Sequence, residues 1–379
     1  MKNEYTLALE LCKINHNNDK IERLLKESVD YPFLLGWLLL NRMGAAAYGK
    51  LQDSGLLGKV NRDFKNILNR NYEIDCKKHK SFNEALEKIR VLLADANFPY
   101  AFLKGAYLSN VYPKGFRASN DIDILINQEN IEDLSKILKQ GGFVQGFVRG
   151  GEFCAASRTQ IINSRMNRGE TIPFIKQIDL PEMKFCEIDI NFSCGYMPGE
   201  DAEIVNIMLQ NSQKSSNEIK TLMPPDFLIH LFLHLHKEAT AMPWVEMGKD
   251  LSLYKFCDIY LLIKKWFNAN FVKEIATRIK DYKIEKESYY ALRLTKEIFD
   301  IDNEFLYDLL ENIKPKCTKY LKQIIDPATN KVYHHDKDII SWLFCQNRKD
   351  YLNEITHETT QSAGNANNVL RLGRSWKIY

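Results

Sequence analysis

Apolar positions near the start of the chain recur at close to helical spacing: Leu7, Leu9 and Leu11, then Ile21, Leu24 and Leu25. A continuous apolar run over 32–40 follows, so residues 1–96 read as a helical region. The stripe Phe82, Leu86, Ile89 and Leu92 predicts a long amphipathic helix over 72–96, stopped by Asn97-Phe98-Pro99. The texture then changes. Tyr100-Ala101-Phe102-Leu103 is a short apolar run, while Lys104-Gly105 and Tyr112-Pro113-Lys114-Gly115 are turn signals. Strands are predicted over 121–126, 143–148 and 183–192, and a helix over 131–140 that Gly141-Gly142 ends. Strands alternating with helices give a mixed α/β core over 97–215. From Pro224-Pro225 the helical period returns. Asp226 is the expected N-cap of a helix through Lys237, and later helices fit 251–267, 272–282, 286–299, 305–313 and 338–344. The expected fold class is therefore α+β, a mixed α/β core flanked by N-terminal helices and by a C-terminal helical bundle over 216–379. The polar, small-residue tail at 356–368 reads as loose.

Two of the predicted strands carry acids on one face. In Asp121-Ile122-Asp123-Ile124, alternation puts the isoleucines on one side and both carboxylates on the other, their Cα atoms about 6–7 Å apart. Like charges held so close repel unless a cation sits between them. Mg²⁺ suits that place, because it takes one or two carboxylates together with phosphate oxygens. Glu187-Ile188-Asp189-Ile190-Asn191-Phe192 repeats the arrangement. If the two strands are neighbours, three or four carboxylates converge in a cluster suited to two-metal nucleotidyl or phosphoryl transfer. Upstream, Gly105 lets backbone approach a phosphate closely, and Lys104 offers it a point charge. Each feature alone is commonplace. A glycine turn, then Asp-x-Asp, then a second acidic strand, in that order, is not.

Composition narrows the picture. The chain has 379 residues, 45% of them hydrophobic, enough to bury a sizeable core. Its net charge of +3 gives no strong global field, which argues against a long nucleic-acid footprint. No apolar stretch reaches the roughly 20 residues of a membrane helix, and no leader pattern opens the chain. A cytoplasmic location with no membrane partner is expected. Eight scattered cysteines with no CxxC motif read as thiols, mostly buried, rather than a zinc site.

Other residues remain open at this level. Arg117 and Ser119 precede the acidic strand, and Arg117 reads equally well as a phosphate grip or a surface cation. Residues 149–178 read as a long connection carrying Arg149, Arg158, Arg165, Arg168 and Lys176, either a solvated loop or an anion clamp. His230 and His234 have metal-pair spacing, but their apolar neighbours favour packing. Lys237, on the same helix, is expected to point toward the cleft. Asp258 sits in an apolar helix and needs a partner, expected among the N-terminal helices. His334-His335 reads as surface.

The segments Leu103-Lys104-Gly105-Ala106-Tyr107-Leu108 and Arg117-Ala118-Ser119-Asn120-Asp121-Ile122-Asp123-Ile124-Leu125 resemble an uncharacterised bacterial nucleotidyltransferase family. Its marks are an LKG-x-x-L turn and an R-x-x-x-D-[IL]-D-[IL]-L strand, and it is similar to DNA-polymerase-β-like nucleotidyltransferases. The resemblance is strongest over 98–145 and weaker over 30–48 and 228–263. It implies a polymerase-β-like domain, with Asp121, Asp123 and Asp189 as catalytic metal ligands for Mg²⁺ or Mn²⁺ and Glu187 in reserve. It implies that Gly105 shapes the triphosphate site; Lys104, Arg117 and Ser119 are the further residues expected at the site of an NTP, ATP the expected one. Relatives carry Glu-x-His-Trp where this chain has Asp189-Ile190-Asn191-Phe192. The reaction implied moves an NMP from the NTP to an acceptor hydroxyl and releases pyrophosphate; the acceptor, small molecule or peptide, is unnamed. A kinase-like variant, a nucleotide-binding regulator and an antitoxin-like partner are the rival readings.

Overall fold

A computed structural model describes residues 2–14, 16–195, 198–199, 201–215 and 217–355. The tail expected over 356–368 lies outside the described residues.

Among them, eight strands build one mixed sheet. In chain order they are β1 (Tyr100–Phe102), β2 (Asp121–Ile126), β3 (Val144–Arg149), β4 (Glu152–Ala155), β5 (Phe174–Leu180), β6 (Met183–Asn191), β7 (Gln213–Lys214) and β8 (Lys220–Thr221). Their spatial order is β4-β3-β5-β6-β2-β1-β8-β7. At the centre β2 runs parallel to β6, with Asp121 opposite Glu187 and Asp123 opposite Asp189. Strands β1 and β5 flank this pair antiparallel. Parallel neighbours in register put like residues on like faces, so both isoleucine sets point the same way.

Those isoleucines meet the second half of one long helix. Ile122, Ile124, Ile188 and Ile190 share a buried cluster with Phe82, Leu86 and Ile89 and with Leu134 and Leu138 of the Ile131–Gln140 helix. The long helix spans Arg62–Leu92, ten residues earlier at its start than the pattern predicts. The difference is a cap: the Asn61 side chain accepts from the backbone amides of Asp63 and Phe64 at 2.8 and 3.2 Å. The opposite face of the sheet looks toward a helical body. Ala101, Leu103 and Leu125 join a large cluster that holds both early helices (Leu7, Leu38) and late ones (Phe256, Leu292). Trp37 stacks on Phe344 with ring centroids 4.2 Å apart, Tyr5 stacks on the same ring at 4.0 Å, and Asn41 Oδ1 accepts from the Leu253 amide at 2.9 Å. The helices before residue 54 and those after 224 therefore form a single packing unit around one side of the sheet.

Several expectations change. Residues 149–178 are not an irregular connection. They hold the β3–β4 hairpin and a helix, Arg158–Asn167, closed by a Ser157/Gln160 capping box. Asp226 is not an N-cap. Pro224 takes the first helical position, the helix runs Pro224–Ala239, and Asp226 turns inward to Arg278 and to the Tyr282 hydroxyl at 3.1 Å. A small sheet of β9 (Gln323–Asp326), β10 (Lys331–His334) and β11 (Asn353–Glu354) interrupts the late helices. Beside it His335 is buried rather than on the surface, stacked on Trp342 with centroids 3.9 Å apart. No described cysteine forms a disulfide, and four of the eight are buried. No described helix is long and apolar enough to cross a membrane.

Candidate active site

The acidic face of β2 and β6 opens into a cleft of about 1390 Å³ between the sheet and the helical body. Asp121, Asp123 and Asp189 line it, with Asn191 one step along β6. Glu187, opposite Asp121 in register, does not line it. Lys104, Gly105, Arg117, Ser119 and Lys237 all reach the same cleft.

Lys104 is the cation set against the acids: its Nζ donates to Asp123 Oδ1 at 2.7 Å. Its backbone has φ 41°, a left-handed value that L side chains rarely adopt. Gly105 follows because nothing larger fits. A Cβ there would stand 2.6 Å from the Ser119 Cβ. Gly105→Ala is expected to push the Ser119 segment away from Lys104 and cost about 1–3 kcal/mol, as overpacking does. Denaturant melts of this variant and of the pair with Ser119→Gly, which should recover most of the loss, measure it. The helix opened by Gly105 is four residues long, Gly105–Leu108, so side chains rather than a helix end carry the local charge.

Arg117 is neither a surface cation nor a free phosphate grip. It is buried, its Nε donates to Asp258 Oδ1 at 3.1 Å and its Nη2 to Asp258 Oδ2 at 3.2 Å. Asp258 is thereby spent on the loop leading into β2, not on capping the N-terminal helices. Nη1 holds the loop itself, through Ala118 O at 2.8 Å and Ser119 Oγ at 3.2 Å. Of the basic residues at 149–178, Arg168 reaches the cleft. Arg165 pairs with Glu132 at 2.7 Å and Lys176 donates to Gly141 O at 2.7 Å.

One functional candidate escaped the sequence reading. Glu170 lies in the cleft, bridged to Asn191 of β6 and ion-paired with Arg168. The available signal was Gly169, whose hydrogen faces the Ser193 Cβ; a Cβ there would come within 2.5 Å. That closeness draws the segment alongside β6.

The electrostatics follow from enclosure. Burial first, then Asp121, Asp123, Glu170 and Glu187, push the Asp189 carboxyl well above the usual carboxylate range. Burial also raises Asp123, the Lys104 ammonium pulls it back, and Asp121 adds to the rise. Burial would raise Glu170 too, but Arg168, Lys237 and Lys104 outweigh it and hold Glu170 low. Across the cleft, burial pushes His230 down to about 3, helped by Lys104 and Lys237, so it is a neutral packing residue. His234 is lowered by burial and by Lys104, and its Nε2 sits 3.3 Å from Glu238 Oε1.

The donor set at the acidic end is all oxygen, which fits a hard cation such as Mg²⁺ or Mn²⁺. Four carboxylates crowd Asp189, an arrangement whose charge asks for more than one ammonium. Among the described residues no three His, Cys, Asp or Glu side chains already stand together as a ready-made metal site. Asp123 Oδ1 instead accepts from Lys104 Nζ.

The model of a family described as an uncharacterised nucleotidyltransferase matches residues 27–300, which include Lys104, Asp121, Asp123, Glu170, Asp189 and Lys237 of the cleft. The chain belongs to this nucleotidyltransferase family. The family's span runs from the Tyr31–Leu40 helix, through the acidic strands and the helix of Arg278 that holds Asp226, to the Glu285–Phe299 helix. No curated protein matches the chain. Among solved structures, an antigenic nucleotidyltransferase-like protein from Paracoccidioides brasiliensis is 12% identical with a TM-score of 0.31, over 56% of this chain and 91% of that one.

Proposed function

We propose that the protein is a divalent-metal-dependent nucleotidyltransferase that moves an NMP from an NTP, ATP first among candidates, to an acceptor hydroxyl. The observation that carries this reading is the register of β2 and β6, which sets Asp123 beside Asp189 on the wall of a large cleft. Mg²⁺ or Mn²⁺ held by Asp121, Asp123 and Asp189 would supply the positive charge that stabilises the α-phosphate oxygens as the bond order changes. Asp189, which lines the cleft beside Asp123, is placed to take the proton of the acceptor hydroxyl. The acceptor oxygen forms its bond to the α-phosphorus as the bond to the bridging oxygen breaks, and pyrophosphate leaves. Lys104, Lys237 and Arg168 line the same cleft and can take up the negative charge of the departing group.

The cleft's volume of about 1390 Å³ exceeds the ~300–1,000 Å³ of a common small-ligand pocket, which favours two substrates bound together. One wall is the apolar helix Tyr31–Leu40, contributing Phe33, Gly36, Trp37 and Leu40. Glycine in a helix interior is unfavourable, and a Cβ at Gly36 would meet nothing, so packing does not require it. A wall kept low in this way suits an acceptor with an apolar part. Among macromolecular classes, the even charge balance disfavours nucleic acid.

Melting the protein with each NTP and Mg²⁺ or Mn²⁺, then following ATP labelled at the α- or γ-phosphate, tests the reading. The expected result is stabilisation by NTP with metal, pyrophosphate release, and α-label in the product. ADP with γ-label transfer would move the assignment to phosphoryl transfer. No stabilisation by any NTP would overturn it.

A further inference from the structure

Lys104 occupies a position that ordinary folding does not favour. Its φ of 41° and ψ of −112° belong to a region glycine enters freely and lysine does not. The next residue is a glycine, so the turn itself places no demand for a long side chain at this point. What the side chain does there is specific: Nζ lies 2.7 Å from Asp123 Oδ1, with the carboxylate almost fully buried. Asp121 and Asp189 also act on this ammonium and keep it charged against the cost of burial. Lys237 and Lys255 line the same cleft and feel its positive charge, and the acids beside them are already matched, Glu170 by Arg168 and Glu238 by Lys255. Lys104 thus serves the sheet's carboxylates in a cleft whose other acids already have cations of their own.

We propose that Lys104 is the cleft's internal cation: it holds Asp123 until a divalent ion claims that carboxylate, then transfers to the triphosphate, making metal and nucleotide bind cooperatively. The inference rests on the nucleotidyl-transfer reading and adds a control step to it. A divalent ion on either oxygen of Asp123 would stand within a few ångströms of the Lys104 ammonium, and that repulsion drives the lysine off as metal enters. A displaced lysine finds Glu170 already held by Arg168 and Glu238 by Lys255, so metal alone binds weakly. The triphosphate supplies a new anion. A flexible four-carbon stem carrying a point charge is suited to such a move, where an arginine fork is not. Linkage then requires the reverse effect of equal size, with metal tightening nucleotide.

The test is a Mn²⁺ titration of the full chain read by electron paramagnetic resonance, with and without α,β-methylene-ATP, together with the melting temperature in chelator. In the wild type, the analogue should tighten Mn²⁺ binding. Lys104→Gln should bind Mn²⁺ alone about tenfold more tightly, since a competing charge in near contact is gone, and should lose most of the analogue's effect. It should also melt lower in chelator, because the acids lose their counter-charge. Lys104→Gly, which releases the backbone strain, should show the same tightening even if Lys104→Gln folds poorly. Unchanged or weaker Mn²⁺ affinity in these variants, with the analogue's effect intact, overturns the internal-cation role and leaves the proposed activity standing. Absence of Mn²⁺ binding to the wild type under every condition overturns both.

Discussion

Replacing Asp189 with asparagine will abolish most turnover and, in the absence of metal, make the protein more stable. The loss should reach at least ~10²–10³-fold, the scale for removing one preorganised electrostatic group from a reaction centre. The stability gain has the opposite origin. Burial and then Asp121, Asp123, Glu170 and Glu187 hold the Asp189 carboxyl well above the usual range. An acid raised in the folded state costs nothing below the unfolded value of about 3.9, where both states are protonated. Above that pH the unfolded chain ionises more readily, so stability falls until the folded carboxyl ionises too. Asparagine removes that penalty. Melts in chelator should therefore coincide below about pH 4 and diverge toward neutrality, with Asp189→Asn higher. Mn²⁺ with NTP should stabilise the wild type and not the variant. Wild-type turnover in Asp189→Asn would remove the residue from the chemistry, and a variant less stable at neutral pH would contradict the charge crowding.

Asp258→Ala should be the most destabilising single change near the cleft. Arg117 and Asp258 are both buried and paired through two guanidinium nitrogens. Removing the acid strands a buried cation, which costs about 3–5 kcal/mol. Urea melts with a constant slope would read this directly. Arg117→Met with Asp258→Leu should recover much of it, because apolar side chains of similar volume replace the pair without an orphaned charge. The same pair anchors the loop that delivers Asp121, since Arg117 also binds Ala118 O and Ser119 Oγ. Turnover in Asp258→Ala should fall even at temperatures where it remains folded. A loss under 1 kcal/mol in urea, read against this scale for a broken buried pair, would mean the guanidinium finds another partner.

What was legible in the sequence was periodicity. Isoleucines two apart in Asp121-Ile122-Asp123-Ile124 and in Glu187-Ile188-Asp189-Ile190 specify a buried face and leave the acids on the other. The helix over 131–140 was equally legible, since an apolar stripe and a Gly-Gly stop define it. Partners distant in the chain were not. Arg117 meets Asp258 across 141 residues, and no local pattern encodes that meeting. Glu170 was hidden because it joins the sheet through a single bridge, too short for alternation to show. The hairpin and capped helix within 149–178 were hidden by exposure: β4 is exposed along its length, so no apolar rhythm marks it. The Ser157-x-x-Gln160 pair was the readable sign of that helix. Asp226 misled because Pro224 can open a helix as well as a capping side chain can.

The packing of Tyr5 and Trp37 on Phe344, and of Asn41 on the backbone of Leu253, has a kinetic meaning. Contacts that join residues 212 apart in sequence must wait for loop closure over most of the chain. During synthesis early helices cover part of the apolar 32–40 segment, while the side that meets Phe344 waits for its late partner. The wall it forms is completed by Phe344 and its neighbours, made well after the acidic strands, so the cavity for substrate closes later than the sheet that carries its acids.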